Sequence, residues 1–398
     1  MRKRLLELAA LFLRLGTTGF GGPAALIAMM QDEVVTRRKW LSQEYFLDLV
    51  GATNLIPGPN ATEMAIHIGY IRAGLPGLVI AGICFILPAA LLTTGLAWAY
   101  VRYGALPQVT PFLYGIKPAV LGIILTALWR LGKTGVKGWQ FLLIGLAVMA
   151  ASLLRVNEIL ALLAGGLIGM FWLRLYAAHE PRGEGKPQAL GCVLTSVLPR
   201  FRCLLGGAGA TFAAYGSAAV AQVSLWKLGL FFLKIGSVLY GSGYVLIAFL
   251  ERGLVHDYHW LTQRQLLDAI AAGQFTPGPL SSTATFVGYL LLGVPGAIVA
   301  TAGMFLPSFL FVAALNPLLP RFRRSPWAAA FLDAINVSSL GLMATVTIRL
   351  GQTTLVVWPA WLITLATAAA SLRWKINSTW LVLLGALVGW LLSTWLSL

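Results

Sequence analysis

The sequence is poor in charge, and poorest in negative charge: Asp and Glu number 13 in 398 residues, against 29 Lys and Arg. Charged residues make up 11% of the chain, where soluble domains carry about 25%. That excludes a soluble catalytic domain, which would need far more polar surface. Cysteine is nearly absent. Cys84, Cys192 and Cys203 are odd in number and lack metal-ligand spacing, so neither a disulfide framework nor a metal site follows. The four histidines (His67, His179, His256, His259) are scattered, and only one lies in an apolar segment. No Ser–His pair, metal cluster or facing pair of acids supports a membrane-embedded enzyme. A nucleotide-binding P-loop is also missing, so ATP hydrolysis is not supported and no cofactor is expected.

What the chain does have is apolar length. Hydrophobic residues make up 58% of it and mean hydropathy is +0.81. Long apolar runs at 75–101, 112–131, 141–154, 159–175, 294–315 and 380–398 identify an all-α, multi-pass integral membrane protein whose solvent is the lipid bilayer. The net charge of +16 sits in short loops between spans, where Lys and Arg orient a protein against anionic lipid. With no soluble basic domain, nucleic acid is not an expected partner. Glu7 and Arg14 interrupt the first apolar segment and no cleavage site is clear, so Met1-Arg2-Lys3-Arg4 is read as mature protein rather than a signal peptide.

Sliding the chain on itself reveals a tandem duplication, roughly 5–176 and 226–397. Arg14-Leu15-Gly16 corresponds to Lys234-Ile235-Gly236, Phe20-Gly21 to Tyr240-Gly241, and Trp40-Leu41-Ser42-Gln43 to Trp260-Leu261-Thr262-Gln263. Asp48 matches Asp268, and Pro57-Gly58-Pro59 matches Pro277-Gly278-Pro279. After a one-residue gap, Gly69-Tyr70 pairs with Gly288-Tyr289, Pro76-Gly77 with Pro295-Gly296, Lys117 with Asn336, and Arg130 with Arg349. The expected organisation is a repeat at 1–176, a basic linker at 177–225 with an extra span at 203–222, and a second repeat at 226–398.

Loop charges give each half a direction. Successive loops of the first half carry three basic residues (Arg37, Arg38, Lys39), one (Arg102), three (Arg130, Lys133, Lys137) and one (Arg155). Matching loops of the second half carry two (Arg252, Arg264), three (Arg321, Arg323, Arg324), one (Arg349) and two (Arg373, Lys375). High-low-high-low becomes low-high-low-high, so the positive-inside rule predicts inverted-topology repeats. Arg2 to Arg4 and Arg37 to Lys39 share the cytoplasmic side, so the segment between them, interrupted at Gly21-Gly22-Pro23, enters and returns. Segment 45–72 reads either as two short helices meeting at Pro57-Gly58-Pro59 or as one kinked span.

Pro-Gly-Pro cannot continue a helix, because each Pro removes an N–H and clashes one turn back. A helix starting after it presents unpaired N–H groups and a positive dipole end, which together favour an anion. Asn60 and Thr62, and in the second half Ser281, Ser282 and Thr283, are neutral donors that either contact an oxyanion or simply cap the helices. Gly21-Gly22-Pro23 and Gly241-Ser242-Gly243 form a second matched pair, suited to close approach of a ligand or of another helix. Charges inside apolar segments are candidates for substrate attraction or coupling: Arg14, Lys234, Lys117, Glu63 and His67. Snorkelling of the cations and plain packing of His67 are the structural alternatives.

Phe20-Gly21-Gly22-Pro23, Pro57-Gly58-Pro59 and Phe275-Thr276-Pro277-Gly278-Pro279-Leu280, set in two homologous halves, resemble the chromate ion transporter family in its long, two-domain form. The resemblance covers essentially the whole chain. It implies a secondary transporter in the bacterial inner membrane that exports chromate and confers chromate resistance. Sulfate is an equally tetrahedral dianion, so a sulfate or other oxyanion carrier stays open, as do a passive anion channel and a homodimer. Ser242-Gly243 in place of Gly22-Pro23 departs from the first-half motif and leaves open whether both halves bind.

Overall fold

The computed structural model describes residues 1–20, 22–53, 56–104, 110–154, 156–179, 223–240, 243–315, 325–374 and 376–396. Gly21, Gly241, Ser242 and the expected span at 203–222 lie outside the described residues. All regular structure among the described residues is helical.

The first half contributes α1 (Arg2–Thr18), α2 (Gly22–Gln31, prolonged by a π-helical stretch Asp32–Arg37), α3 (Gln43–Thr53), α4 (Asn60–Tyr103), α5 (Thr110–Gly135), α6 (Trp139–Leu153) and α7 (Glu158–His179). The second half repeats the series. It has α8 (Leu225–Val238), α9 (Leu246–Leu250, continued by a π-helical stretch Glu251–Asp257), α10 (Gln263–Phe275), α11 (Thr283–Leu315), α12 (Pro326–Thr354), α13 (Trp358–Trp374) and α14 (Ser378–Leu396). Five of the described helical stretches are long and apolar enough to cross a membrane: Asn60–Tyr103, Tyr114–Gly135, Glu158–Leu175, Leu280–Ala314 and Pro326–Thr354.

The helix starts follow from the repeat. Thr262 opens α10 with a capping box, its hydroxyl accepting from the Gln265 N–H while Gln265 Oε1 accepts from the Thr262 N–H. Its repeat mate Ser42 accepts from the Tyr45 N–H at the head of α3. In α1, Leu8, Leu11, Phe12 and Leu15 follow helical spacing and are buried, and Gly16 lets that face press against the Phe85 carbonyl of α4.

Helix α4 is a hairpin rather than a rod. Ala73 (φ −148°) and Gly74 (φ +64°, ψ −152°) leave helical geometry, and the chain doubles back. Gly69 and Gly77 then face each other so closely that a Cβ on either would overlap the other's carbonyl. Helix α11 does the same at Leu292 and Gly293, with Gly288 against Gly296. The backbone at Gly74 and Gly293 is essentially reserved for glycine, while nothing crowds a Cβ there. Gly74→Ala and Gly293→Ala should therefore each cost only backbone strain, on the order of 1–3 kcal/mol. Thermal unfolding of the purified variants in detergent measures it, and a loss of the folded species would contradict it.

Side-chain partners fix the direction of each segment. Arg72, at the turn of α4, pairs with Glu7 at 3.1 Å, so the start of α1 lies beside that turn on what we term the N-terminal face. Arg72 also stacks on Trp40, which brings the end of the α2 segment back to the same face. The second arm of α4 (75–103) runs to the far face, where Tyr100 donates to Asp268 of α10 at 2.8 Å. Seven residues back along that arm, Thr93 meets Thr276 at 3.3 Å, just before the second Pro-Gly-Pro. Helix α10 thus descends from the far face to mid-membrane. The first arm of α11 (283–291) returns to the far face, because its second arm (294–315) starts there and carries Phe309 to Gly82, near the N-terminal face. The broken segments are re-entrant, and the kinked-span alternative does not describe them.

Inversion is equally direct. Lys137, just past the end of α5, holds Asp333 in the second turn of α12 at 2.7 and 2.8 Å. The end of one helix therefore lies beside the start of its repeat mate. Close approaches of Gly115 to Gly385, Gly122 to Thr364, Gly341 to Gly145 and Gly165 to Ser338 intertwine the halves, with small residues letting backbones touch.

Candidate functional site

At mid-membrane each Pro-Gly-Pro is completed by the other half. The Gly58 N–H donates to the Leu239 carbonyl at 2.7 Å, and the Gly278 N–H donates to the Gly19 carbonyl at 2.8 Å. Gly19 and Leu239 are repeat mates that end α1 and α8. The glycine N–H at each break is thus satisfied by the carbonyl that ends α8 or α1 in the opposite half, as lipid-embedded backbone must be. Pro57, Pro59, Pro277 and Pro279 are buried in this interlock.

Beside the interlock lies a cavity of about 760 Å³. Gly22 and Pro23 of the first half, Asn60 at the head of α4, and Gly243 and Tyr244 of the second half line its inner end. Towards the N-terminal face the lining passes to Arg130, Lys137, Asp333, Asn336, Ser371 and Asn377. Arg130 donates to the Ser371 carbonyl at the end of α13, with the Ser371 hydroxyl also in reach at 3.5 Å. Lys137 neutralises Asp333 through both carboxylate oxygens. The charge left over on the lining is that of Arg130, and the other polar groups are neutral amides and hydroxyls. Such a surface can hold a small anion by hydrogen bonds from several sides.

The remaining sequence candidates take other places. Thr62, Ser281, Ser282 and Thr283 are buried beside the breaks and do not line the cavity. Thr283 donates back to the Leu280 carbonyl at 2.8 Å, a local bond to the preceding turn rather than a cap, in which the hydroxyl would accept from an N–H. The hydroxyls of Thr62, Ser281 and Ser282 have no hydrogen-bond partner among the described residues. Glu63 is fully buried and accepts from Ser308 of the opposite half at 3.4 Å, with its carboxylate packed against Gly58. His67 is buried one turn further along α4. Arg14 pairs with Glu33, which Arg37 (3.1 Å) and Arg38 (3.3 Å) also hold. Lys234 is exposed on α8. Lys117 is half-buried on α5, within electrostatic reach of Asp268 and Arg264, whereas its repeat mate Asn336 faces the cavity.

Sequence reasoning overlooked Arg130, which it counted as an orienting loop charge. The signal was in the repeat itself. Arg130 and Arg349 hold register at the end of apolar runs, and each reaches the last turn of a helix in the other half, at Ser371 and Ser152 respectively. An arginine retained twice at such a position does more than orient a loop.

A protein-family model described as Chromate transporter matches residues 6–170 and again 226–390. The chromate transport protein of Cupriavidus metallidurans is 34% identical over 385 residues, covering 96% of this chain and 91% of that protein. The probable chromate transport protein of Synechococcus elongatus is 31% identical over 374 residues, covering 94% and 91%. A chromate transport protein of Pseudomonas aeruginosa is 31% identical over 398 residues, covering 97% and 92%. No solved structure matches the chain.

Proposed function

Because this chain belongs to the chromate transporter family, we propose that it is a secondary transporter that carries chromate out of the cytoplasm through the cavity between its halves. The observation that carries this reading is a cavity lined by the glycine-containing breaks of both halves, at Gly22 and Gly243, with Arg130 as the unneutralised charge on its wall. Neutral donors such as Asn60, Asn336 and Asn377 can hold a tetrahedral dianion yet release it, as conduction requires. Sulfate has the same shape and charge and is expected to compete.

The charge distribution supports the outward direction. The cavity lining extends towards the N-terminal face at Lys137 and Asp333, and that face carries Arg2 to Arg4 and Arg37 to Lys39, a cytoplasmic signature under the positive-inside rule. On the far face the corresponding arginine, Arg349, is paired with Glu251 and donates to the Ser152 carbonyl. Loading from inside and rocking of one repeat against the other then give alternating access. A membrane potential negative inside drives a dianion outwards without ATP. The expected location is the bacterial inner membrane, and the reading includes chromate resistance. The cavity is complete within one chain, so a homodimer would hold two independent sites.

Proteoliposomes test the proposal. With the potential clamped at zero, unlabelled chromate trapped inside should draw labelled chromate in by counterflow, and sulfate should inhibit it. A passive channel would give flux without counterflow accumulation. Absence of any saturable chromate flux that sulfate inhibits would overturn the proposal.

A further inference from the structure

Arg130 and Arg349 are repeat mates, and so are the carbonyls they cap, Ser371 and Ser152. The two guanidiniums differ in what meets their other side. Arg349 Nη1 lies 3.3 Å from Glu251 Oε2, and Glu251 is fully buried, with its other oxygen 2.7 Å from His256 Nε2. In the first half the position equivalent to Glu251 is Gln31, a neutral residue. No carboxylate is paired with Arg130 among the described residues, and Asp333, an acid on the cavity wall, is occupied by Lys137. The second half therefore shows an anion seated on this arginine, and that anion is part of the chain.

We infer that Glu251 is a tethered counter-anion occupying, on Arg349, the place that a free tetrahedral oxyanion takes on Arg130. The chain accordingly has one oxyanion site rather than two. A guanidinium presents a planar fork of donors that matches two oxygens of a carboxylate or of a tetrahedral dianion equally well. With one N–H direction committed to a helix end, the rest of the fork is held in a fixed orientation, and the pocket opposite accepts whichever anion is supplied. In the second half evolution has supplied it covalently. This inference rests on the reading that the protein carries a small oxyanion, and adds which arginine binds it and why its twin does not.

Equilibrium binding of labelled chromate to the purified full-length chain in nanodiscs, with sulfate as competitor, tests it. Wild type should bind one chromate per chain. Arg130→Gln should weaken binding at least tenfold. Arg130→Lys, which keeps the charge but loses the fork, should weaken it less. Gln31→Glu supplies a tethered carboxylate to Arg130 and should abolish binding while leaving the thermal unfolding temperature unchanged or raised, so a loss there is not misfolding. Buried Glu158 also lies within electrostatic reach of Arg349, where its repeat mate on the cavity side is the neutral Asn377. Glu251→Gln combined with Glu158→Asn should therefore add a second, weaker site, and adding Arg349→Gln to that pair should return the chain to one site. Unaltered affinity in both Arg130→Gln and Gln31→Glu, or two sites in wild type, would overturn the inference while leaving the transport reading intact. A wild-type chain that neither binds nor moves chromate or sulfate would instead remove the substrate reading, and this inference with it.

Discussion

Replacing Gly58 with alanine should cost about 3 kcal/mol or more, a large share of the roughly 5–15 kcal/mol that separates a native fold from its unfolded chain. Gly58 has φ +151°, a conformation that side chains rarely adopt, and a Cβ there would overlap both Glu63 Oε1 and Ser308 Oγ. Those atoms belong to opposite halves and cannot both move aside without breaking the contact between them. The Gly58 N–H also donates to Leu239, so displacing the loop loosens the bond that closes the break. Gly278→Ala is the matched control. Its φ is +102°, but the nearest neighbour of a Cβ would be Ala89 Cβ at 3.0 Å, a contact relieved by a small shift. Thermal unfolding in detergent should therefore rank wild type above Gly278→Ala, and Gly278→Ala well above Gly58→Ala. Equal losses in the two variants would mean that the Glu63–Ser308 contact does not shape the first break.

Asn60→Asp should separate stability from transport. Asn60 begins α4 and lines the cavity. A carboxylate at a helix N-terminus is favourable by about 0.3–1 kcal/mol, so the fold should hold or gain slightly. For a dianion in the same cavity the new charge is repulsive by several kcal/mol at an effective dielectric of about 20. Chromate flux should fall about 100-fold or more, since each 1.4 kcal/mol is about a factor of ten. Asn60→Ala, which removes donors without adding charge, should lower flux by about tenfold or less. Undiminished flux in Asn60→Asp, with a folded protein, would take the cavity off the substrate's route.

Much of the architecture was legible in the residues because proline and glycine punctuate apolar sequence in only a few ways. The arms on either side of Pro57-Gly58-Pro59 emerge as α3 (Gln43–Thr53) and the opening arm of α4. Loop charge predicted the inversion that the Lys137–Asp333 pair displays. The boundary between segment 45–72 and the apolar run from 75 is marked in the sequence by Arg72, Gly74 and Pro76, whereas the close Gly69–Gly77 contact that folds the two arms into a hairpin was hidden. The site was partly hidden for a different reason. Helix ends rich in Ser and Thr look the same whether they face a cavity or the protein interior, and Thr62, Ser281 and Ser282 face the interior. Arg130 was masked by its position at the edge of a loop, where orienting charges are common. Arg349 is neutralised by Glu251, about a hundred positions away in the chain, and only folding brings those two into contact.

The exchange of hydrogen bonds between Gly58 and Leu239, and between Gly278 and Gly19, also bears on synthesis. While the ribosome is still making the second half, the first half sits in the bilayer with its midplane unfinished, its Gly19 carbonyl waiting for an amide not yet translated. An abandoned nascent chain would therefore expose unpaired backbone to lipid and invite degradation. Neither repeat of this chain closes its own mid-membrane backbone; each is finished by the other.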